Sequence, residues 1–304
     1  MVESWYIMKE KTIYALGFFD GVHLGHAALL EACRRLADEQ GCTAAAVTFS
    51  SHPDTLVLGK TPGLINTIED RVRLLKAAGM DAVIVLPFDR KMMTMPWQEF
   101  LTLLREDYHA AGLVCGHDFR FGDHGEGNAD LLRTFCLQHR MAWAVVPEQK
   151  LGDITVSSTH IRSLLEAGNV EEAARFLGHP HRLSGEVVSG RKLGRTLGIP
   201  TANISIPEGV VQLPFGVYAC KATVEGHEYL AVTNIGNRPT VGGHRVTVEP
   251  WLLDFNGDLY GKTLTLFFYR FLRPEKKFPS LDALKEEIGK NAAETRKIFE
   301  NNTK

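Results

Sequence analysis

This chain is poor in the features that would commit it to a membrane, an oxidising compartment or a polyanion. Its apolar runs end well short of the roughly 20 residues that cross a bilayer. The opening Met-Val-Glu-Ser-Trp-Tyr-Ile-Met-Lys-Glu-Lys carries no apolar signal core. Cysteine is scarce: five in 304 residues, at Cys33, Cys42, Cys115, Cys136 and Cys220, with no Cys-x-x-Cys pair. That argues against a disulfide frame or a cysteine zinc site and predicts reduced thiols in a cytoplasmic setting. Neither charge sign dominates. Lys and Arg total 34 against 36 Asp and Glu, a net −2, which leaves no broad field to draw in nucleic acid or an anionic membrane. The expected partners are small molecules, with the chain a monomer or a weak homo-oligomer. What is present is an ordinary globular composition, 44% hydrophobic and 23% charged, in a length that suits one large or two ordinary domains.

The first half alternates strand and helix. Thr12–Leu16, Thr43–Phe49, Ala82–Leu86, Leu113–Gly116 and Ala142–Val146 are short and apolar throughout, as buried strands are. Between them run amphipathic stretches: one with Leu29, Leu30, Cys33, Leu36 and Ala37 on a stripe, one from about Glu69 with Thr67 as N-cap, one over Trp97–Tyr108, and one capped by Asn128. This order predicts a parallel sheet covered on both faces. Ligands of such sheets bind beyond the carboxyl ends of the strands, so the turns there carry the chemistry.

The first of those turns is Gly17-Phe18-Phe19-Asp20-Gly21-Val22-His23-Leu24-Gly25-His26. Two histidines three apart at a helix start project to one side. Free amides and the positive end of the helix dipole point there too, and Gly21 and Gly25 let a ligand approach the main chain. Such a corner suits a nucleotide polyphosphate. The turn after the second strand is Ser50-Ser51-His52-Pro53-Asp54; after the fourth it is Gly116-His117-Asp118-Phe119-Arg120-Phe121-Gly122. A last stretch, Ser157-Ser158-Thr159-His160-Ile161-Arg162, opens a helix with hydroxyls at its N-terminus and Arg162 pointing back. Lys91-Met92-Met93-Thr94 faintly resembles a mobile lysine loop but reads as loop or core filler. Gly59-Lys60-Thr61 and Gly261-Lys262-Thr263 lack the earlier glycine of a phosphate-binding loop, since Asp54 and Asn256 stand in its place.

Taken together, His-x-Gly-His, Gly-His-Asp-Phe-Arg-Phe-Gly and Ser-Ser-Thr-x-Ile-Arg resemble the FMN adenylyltransferase branch of the nucleotidyltransferases. The resemblance implies a Rossmann-like sheet in which His23, His26, Ser158, Thr159 and Arg162 hold the triphosphate of ATP and the leaving pyrophosphate. It places Gly17, Phe19, Asp20, Gly25 and Asp118 around the nucleotide or the flavin phosphate. Ser51 stands where many members have proline, which removes some turn rigidity.

Beyond the helix Val170 to Leu177 and the linker Gly178-His179-Pro180-His181-Arg182 the texture changes. Short β-branched segments are separated by Gly, Pro, Asn and Asp: Gly185–Val188, Val217–Val224, Tyr229–Thr233, Val246–Leu253 and Thr263–Leu272. That pattern predicts a small antiparallel β-barrel, closed by a helix from Ser280 with Leu284, Ile288 and Ile298 on its apolar side. The loop Gly190-Arg191-Lys192-Leu193-Gly194-Arg195 is flexible and electropositive and could wrap a nucleotide diphosphate with its amides. After Pro200, Thr201 and Asn203 lie two apart on an extended segment, pointing the same way with oxygens suited to a hard cation such as Mg²⁺. Glu249, late in an apolar strand, is either an edge charge or a functional carboxylate.

Gly190 to Asn203 is similar to the riboflavin kinase signature. By that resemblance Gly190, Lys192, Gly194 and Arg195 bind ATP, Thr201 and Asn203 hold Mg²⁺, Asn234 lies near the flavin, and Glu249 is the base for the flavin hydroxyl. Pro250-Trp251 departs from the pattern, and a proline beside Glu249 is expected to distort its strand. The whole chain is thus identified as a member of the bacterial bifunctional flavokinase/FAD synthetases. Residues 1–180 would be the adenylyltransferase and 181–304 the kinase, turning riboflavin into FMN and FMN into FAD with ATP. The alternatives are a single-activity member, a nucleotidyltransferase acting on pantetheine or glycerol phosphates, and a flavin-binding regulator without turnover.

Overall fold

The computed structural model describes residues 10–57, 59, 62–188, 199–205, 207, 209–240 and 243–301. The chain divides into two compact units, Met1–Pro62 with Ile68–Ser158, and Gly63–Thr67 with Thr159–Lys304.

In the first unit, β1 (Thr12–Leu16), β2 (Thr43–Phe49), β3 (Ala82–Leu86), β4 (Ala110–Gly116) and β5 (Ala142–Val146) form a parallel sheet of order β3-β2-β1-β4-β5. Residues alternate between its faces. Ile13, Ala15, Ala44 and Ala46 pack against Leu29, Leu30 and Cys33 of α1 (Leu24–Gln40). Tyr14, Leu16, Ala45 and Val47 pack against Phe100, Leu101 and Leu104 of α5 (Trp97–Glu106) and Leu132, Phe135 and Cys136 of α6 (Ala129–Gln138). Each such enclosed Leu or Phe is worth about 1.5–3 kcal/mol. Asn128 Oδ1 accepts from the Leu131 amide at 3.0 Å, the cap its position implied. Three further helices, α2 (Pro53–Val57), α3 (Ile68–Ala77) and α4 (Arg90–Met93), and the hairpin β6 (Lys150–Leu151)–β7 (Ile154–Thr155) complete this unit. The strand order reverses between β1 and β4, where a doubly wound sheet opens a crevice.

α7 (Ser158–Glu166) and α8 (Val170–Leu177) precede the barrel. The strands are β8 (His181–Val188), β9 (Asn203–Ile204), β10 (Gly216–Val224), β11 (His227–Thr240), β12 (Gly243–Leu252) and β13 (Thr263–Pro274). They close in the order β10-β11-β12-β9-β8-β13, all pairs antiparallel. Closure removes the exposed edges that a small sheet would otherwise present. α9 (Leu281–Asn301) is the closing helix, and its Phe299 meets Tyr269 of β13 at 4.8 Å between ring centroids. On the barrel, α8 is tied by Glu171 to Arg270, 2.7 Å from Nη2.

Pro250 does not bend its strand. The β11–β12 register runs unbroken from Ala231↔Leu252 to Thr240↔Gly243, with Thr233 opposite Pro250. On its other side Pro250 only accepts, from the Ala202 amide at 2.9 Å, so the N–H that proline lacks is not needed there.

Candidate active sites

The first site is a cavity of about 1120 Å³ lined wholly by the first unit, at the carboxyl ends of its strands. Gly17 and Phe18 follow β1, Gly116 ends β4 with His117 to Gly125 after it, and Val146 ends β5 with Pro147 to Gln149 after it. His23, Gly25, His26, Asp118 and Ser158 all line it. The turn into α1 is strained: φ is +58° at Phe19, +82° at Gly21 and +42° at the β-branched Val22. Non-glycine residues in that region cost about 1–3 kcal/mol each and persist only where surroundings fix them. Here Phe19 and Val22 are buried, and Ser158 Oγ donates to the Asp20 carbonyl at 2.9 Å.

His23 is the N-cap of α1, its Nδ1 accepting from the His26 amide at 3.3 Å. An accepting Nδ1 places the proton of a neutral His23 on Nε2. The Ala27 amide bonds the His23 carbonyl at 2.8 Å, so the first-turn amides left for an anion are those of Leu24 and Gly25. The imidazoles of His23 and His26 stack, 3.6 Å apart and 14° from parallel. Burial, then His23, then Arg71 hold His26 well below the usual histidine range. It is therefore neutral at pH 7, and an arriving anion would favour its protonation.

Other expected residues are placed differently. Phe19 is fully buried in the core beneath His26, 5.1 Å from it edge to face, and supports the corner without lining the cavity. Asp20 is likewise buried and outside the lining, its main-chain carbonyl taken by Ser158. Thr159 and Arg162 do not line this cavity; Arg162 Nε donates to the Gly63 carbonyl at 2.6 Å. Met92 packs on the core, as the filler reading expected, and both Met92 and Met93 also line the cavity. Ser51 recovers part of the rigidity a proline would give, its hydroxyl donating to the Phe88 carbonyl at 3.3 Å.

The second site is a cavity of about 380 Å³ within the barrel unit. Glu249 on β12 and Asn234 on β11 are register partners, so their side chains share one face and both line it. Thr201 lines it too, while Asn203 sits in β9 paired with Val188 and does not. Gly190, Lys192, Gly194 and Arg195 lie outside the described residues. Trp251, Arg273 and Asn291 join the lining, and of these Asn291 carried no local sequence signal. Arg273 Nε donates to Asn291 Oδ1 at 3.2 Å and pairs with Glu287 at 3.2 Å, which ties β13 to α9. Among the described residues no group of three or more His, Cys, Asp and Glu could hold a metal. The hydroxyl of Thr201 and the carboxylate of Glu249 both line this cavity, and hard oxygens of this kind fit Mg²⁺ arriving with a nucleotide.

All five cysteines are free, and four are buried. Burial pushes the thiols of Cys33, Cys115, Cys136 and Cys220 up to about 12, which makes them unreactive.

Residues 7–160 match the family model described as FAD synthetase, and residues 177–299 the one described as riboflavin kinase. The chain is 35% identical over 305 residues to a bifunctional riboflavin kinase/FMN adenylyltransferase of Bacillus subtilis, covering 97% of this chain and 96% of that protein. It is 34% identical over 294 residues to the protein so described from Escherichia coli K12, covering 96% and 94%. A crystal structure from Streptococcus pneumoniae, described as a macrolide-efflux protein, superimposes with a TM-score of 0.86 and 29% identity over 95% of each chain. Among the described residues no helix here is long and apolar enough to cross a membrane. With both halves matched in order and relatives aligned nearly end to end, the chain belongs to the bifunctional riboflavin kinase/FMN adenylyltransferase family.

Proposed function

We infer that this chain carries out two ATP-dependent steps of flavin cofactor synthesis. Riboflavin is phosphorylated to FMN, and FMN is adenylylated to FAD with release of pyrophosphate. The observation that carries the reading is the stacked His23–His26 pair at the start of α1, on a cavity at the switch point of a parallel sheet.

In the adenylyl transfer an FMN phosphate oxygen attacks the α-phosphorus of ATP in line, and the bond to pyrophosphate breaks. No enzyme nucleophile is needed. Negative charge spreads over the transferring group and the leaving oxygen, so positioning and preset donors are the protein's main contribution. His23 through Nε2–H, His26, and the amides of Leu24 and Gly25 are the donors gathered there; Ser158 lines the same cavity, its hydroxyl bracing the turn through the Asp20 carbonyl. Asp118 sits on the opposite turn, after β4. Thr159 and Arg162 stay outside this assignment. In the kinase step the primary hydroxyl of riboflavin attacks the γ-phosphorus of ATP, and the bond to the leaving ADP breaks. Glu249 accepts its proton or orients it, with Asn234 beside it. Thr201, with Asn203 on the same extended segment, is assigned to Mg²⁺, which would neutralise triphosphate charge. The division at residue 180, a cytoplasmic setting, the absence of nucleic-acid partners and a monomeric or weakly associating state belong to the same proposal. Sedimentation velocity over a dilution series would contradict the last by revealing a stable oligomer.

Both departures from the family pattern support two activities over one, since Ser51 is anchored and Pro250 leaves the strand intact. Purified protein given riboflavin, ATP and Mg²⁺ should form FMN and then FAD, separable by chromatography. A single flavin product would contradict the bifunctional reading.

A further inference from the structure

Behind the wall of the first cavity lies a charge that the proposed chemistry leaves unused. Arg71, on α3, is 0% exposed and the largest of the fully enclosed side chains. Its Nη1 donates to Thr48 Oγ1 at 3.2 Å and to the Phe49 carbonyl at 3.0 Å. Thr48 passes the contact on, its hydroxyl donating to the Phe18 carbonyl at 2.7 Å. The guanidinium carbon lies 4.0 Å from the centroid of the Phe18 ring, and His52 meets the same ring edge to face at 4.6 Å. Phe18 and Phe49 line the cavity; Arg71 and Thr48 do not. One buried cation thus fixes two wall positions, one just past β1 and one at the end of β2.

Packing alone does not call for this residue. Burying a guanidinium is costly unless its donors are met, and here Nε and Nη2 are buried without a hydrogen-bond partner. Burial pulls its pKa down to about 10 against the opposing charge of Asp20, so it stays charged at neutral pH. A leucine or methionine would fill the volume without that cost. A lysine would keep the charge but lose the planar fork that stacks on a ring while bonding two oxygens.

We propose that Arg71 is a positioning residue for adenylyl transfer. Through Thr48 and the Phe18 ring it sets the chain that leads from β1 into the histidine corner, and with it the line along which the FMN phosphate meets the α-phosphorus. The proposal rests on the FAD-forming reading of this cavity.

The test uses the full chain with ATP, Mg²⁺ and either FMN or riboflavin. In Arg71→Lys, kcat for FAD formation should fall at least about tenfold, with KM for ATP within about twofold. FMN formation from riboflavin should be unchanged, and any fall in melting temperature should leave the chain folded at the assay temperature. Thr48→Val, a gentler change at the middle of the relay, should lower the same kcat about threefold or more, and the double variant should be no slower than Arg71→Lys, because both act through one contact chain. Full FAD formation in Arg71→Lys would overturn the proposal. So would a parallel fall in kinase activity and melting temperature, which would make Arg71 merely structural. If Arg71→Lys does not fold, Thr48→Val decides alone: a lower kcat at constant KM supports the relay, and wild-type kcat overturns it. A wild-type chain that makes FMN but no FAD would instead defeat the reading of the cavity, before any variant is compared.

Discussion

The two cavities proposed for phosphorus transfer from ATP to a flavin differ in construction. In the α/β unit the reacting groups are grouped along one turn, and the main chain supplies much of the site: first-turn amides, an imidazole used as a cap, and a backbone held at positive φ. In the barrel the site is assembled from side chains on separate strands, with Glu249 and Asn234 opposed in a regular ladder. A strained turn needs its surroundings, so the histidine corner should be sensitive to changes behind it, as Arg71, Thr48 and Ser158 illustrate. A ladder is held by its neighbours on both sides, which is why a proline next to Glu249 is tolerated.

That contrast can be attacked in order of expected size. Glu249→Ala should lower FMN formation from riboflavin by about 10²–10⁴-fold while FAD formation from supplied FMN persists. His26→Ala should lower FAD formation by about 10²–10³-fold and spare FMN formation. Gly25→Ala places a Cβ 3.2 Å from the His23 ring; steady-state rates should show FAD formation down about tenfold with an unchanged melting temperature. Acid should act on the barrel through His181. Burial, with the nearby His179, lowers its pKa to about 3, so between about 6.5 and 3 the unfolded chain binds the proton and the folded chain does not. Stability is therefore full above that window and falls as pH drops through it, by up to about 1.4 kcal/mol per pH unit. Urea titrations at stepped pH should show the slope, and His181→Phe should flatten it. Last, Pro250→Thr should change kinase activity less than about twofold, since the strand is already regular.

Legibility followed the same contrast. The five sheet strands, α1 and the histidine corner were readable because their signals are local: apolar runs, a capped stripe, ten consecutive residues. Phe19 was misplaced because the sequence does not say that a left-handed turn swings its ring into the core. Met92 and Met93 showed only their packing role because a methionine carries no sign of the cavity it also faces. In the barrel, β11 runs from His227 to Thr240, far past the Thr233 that periodicity suggested, since Asn-Arg-Pro-Thr reads as a turn by propensity and tertiary pairing overrides it. Arg71 could not be found locally, because it matters through partners more than twenty residues away in sequence.

The account's central claim is that each half holds its own complete site. His26→Ala protein incubated with riboflavin, ATP and Mg²⁺, with the flavins then separated, tests this most directly. FMN should accumulate at the wild-type rate with almost no FAD. Loss of FMN from folded protein, or undiminished FAD, would contradict it.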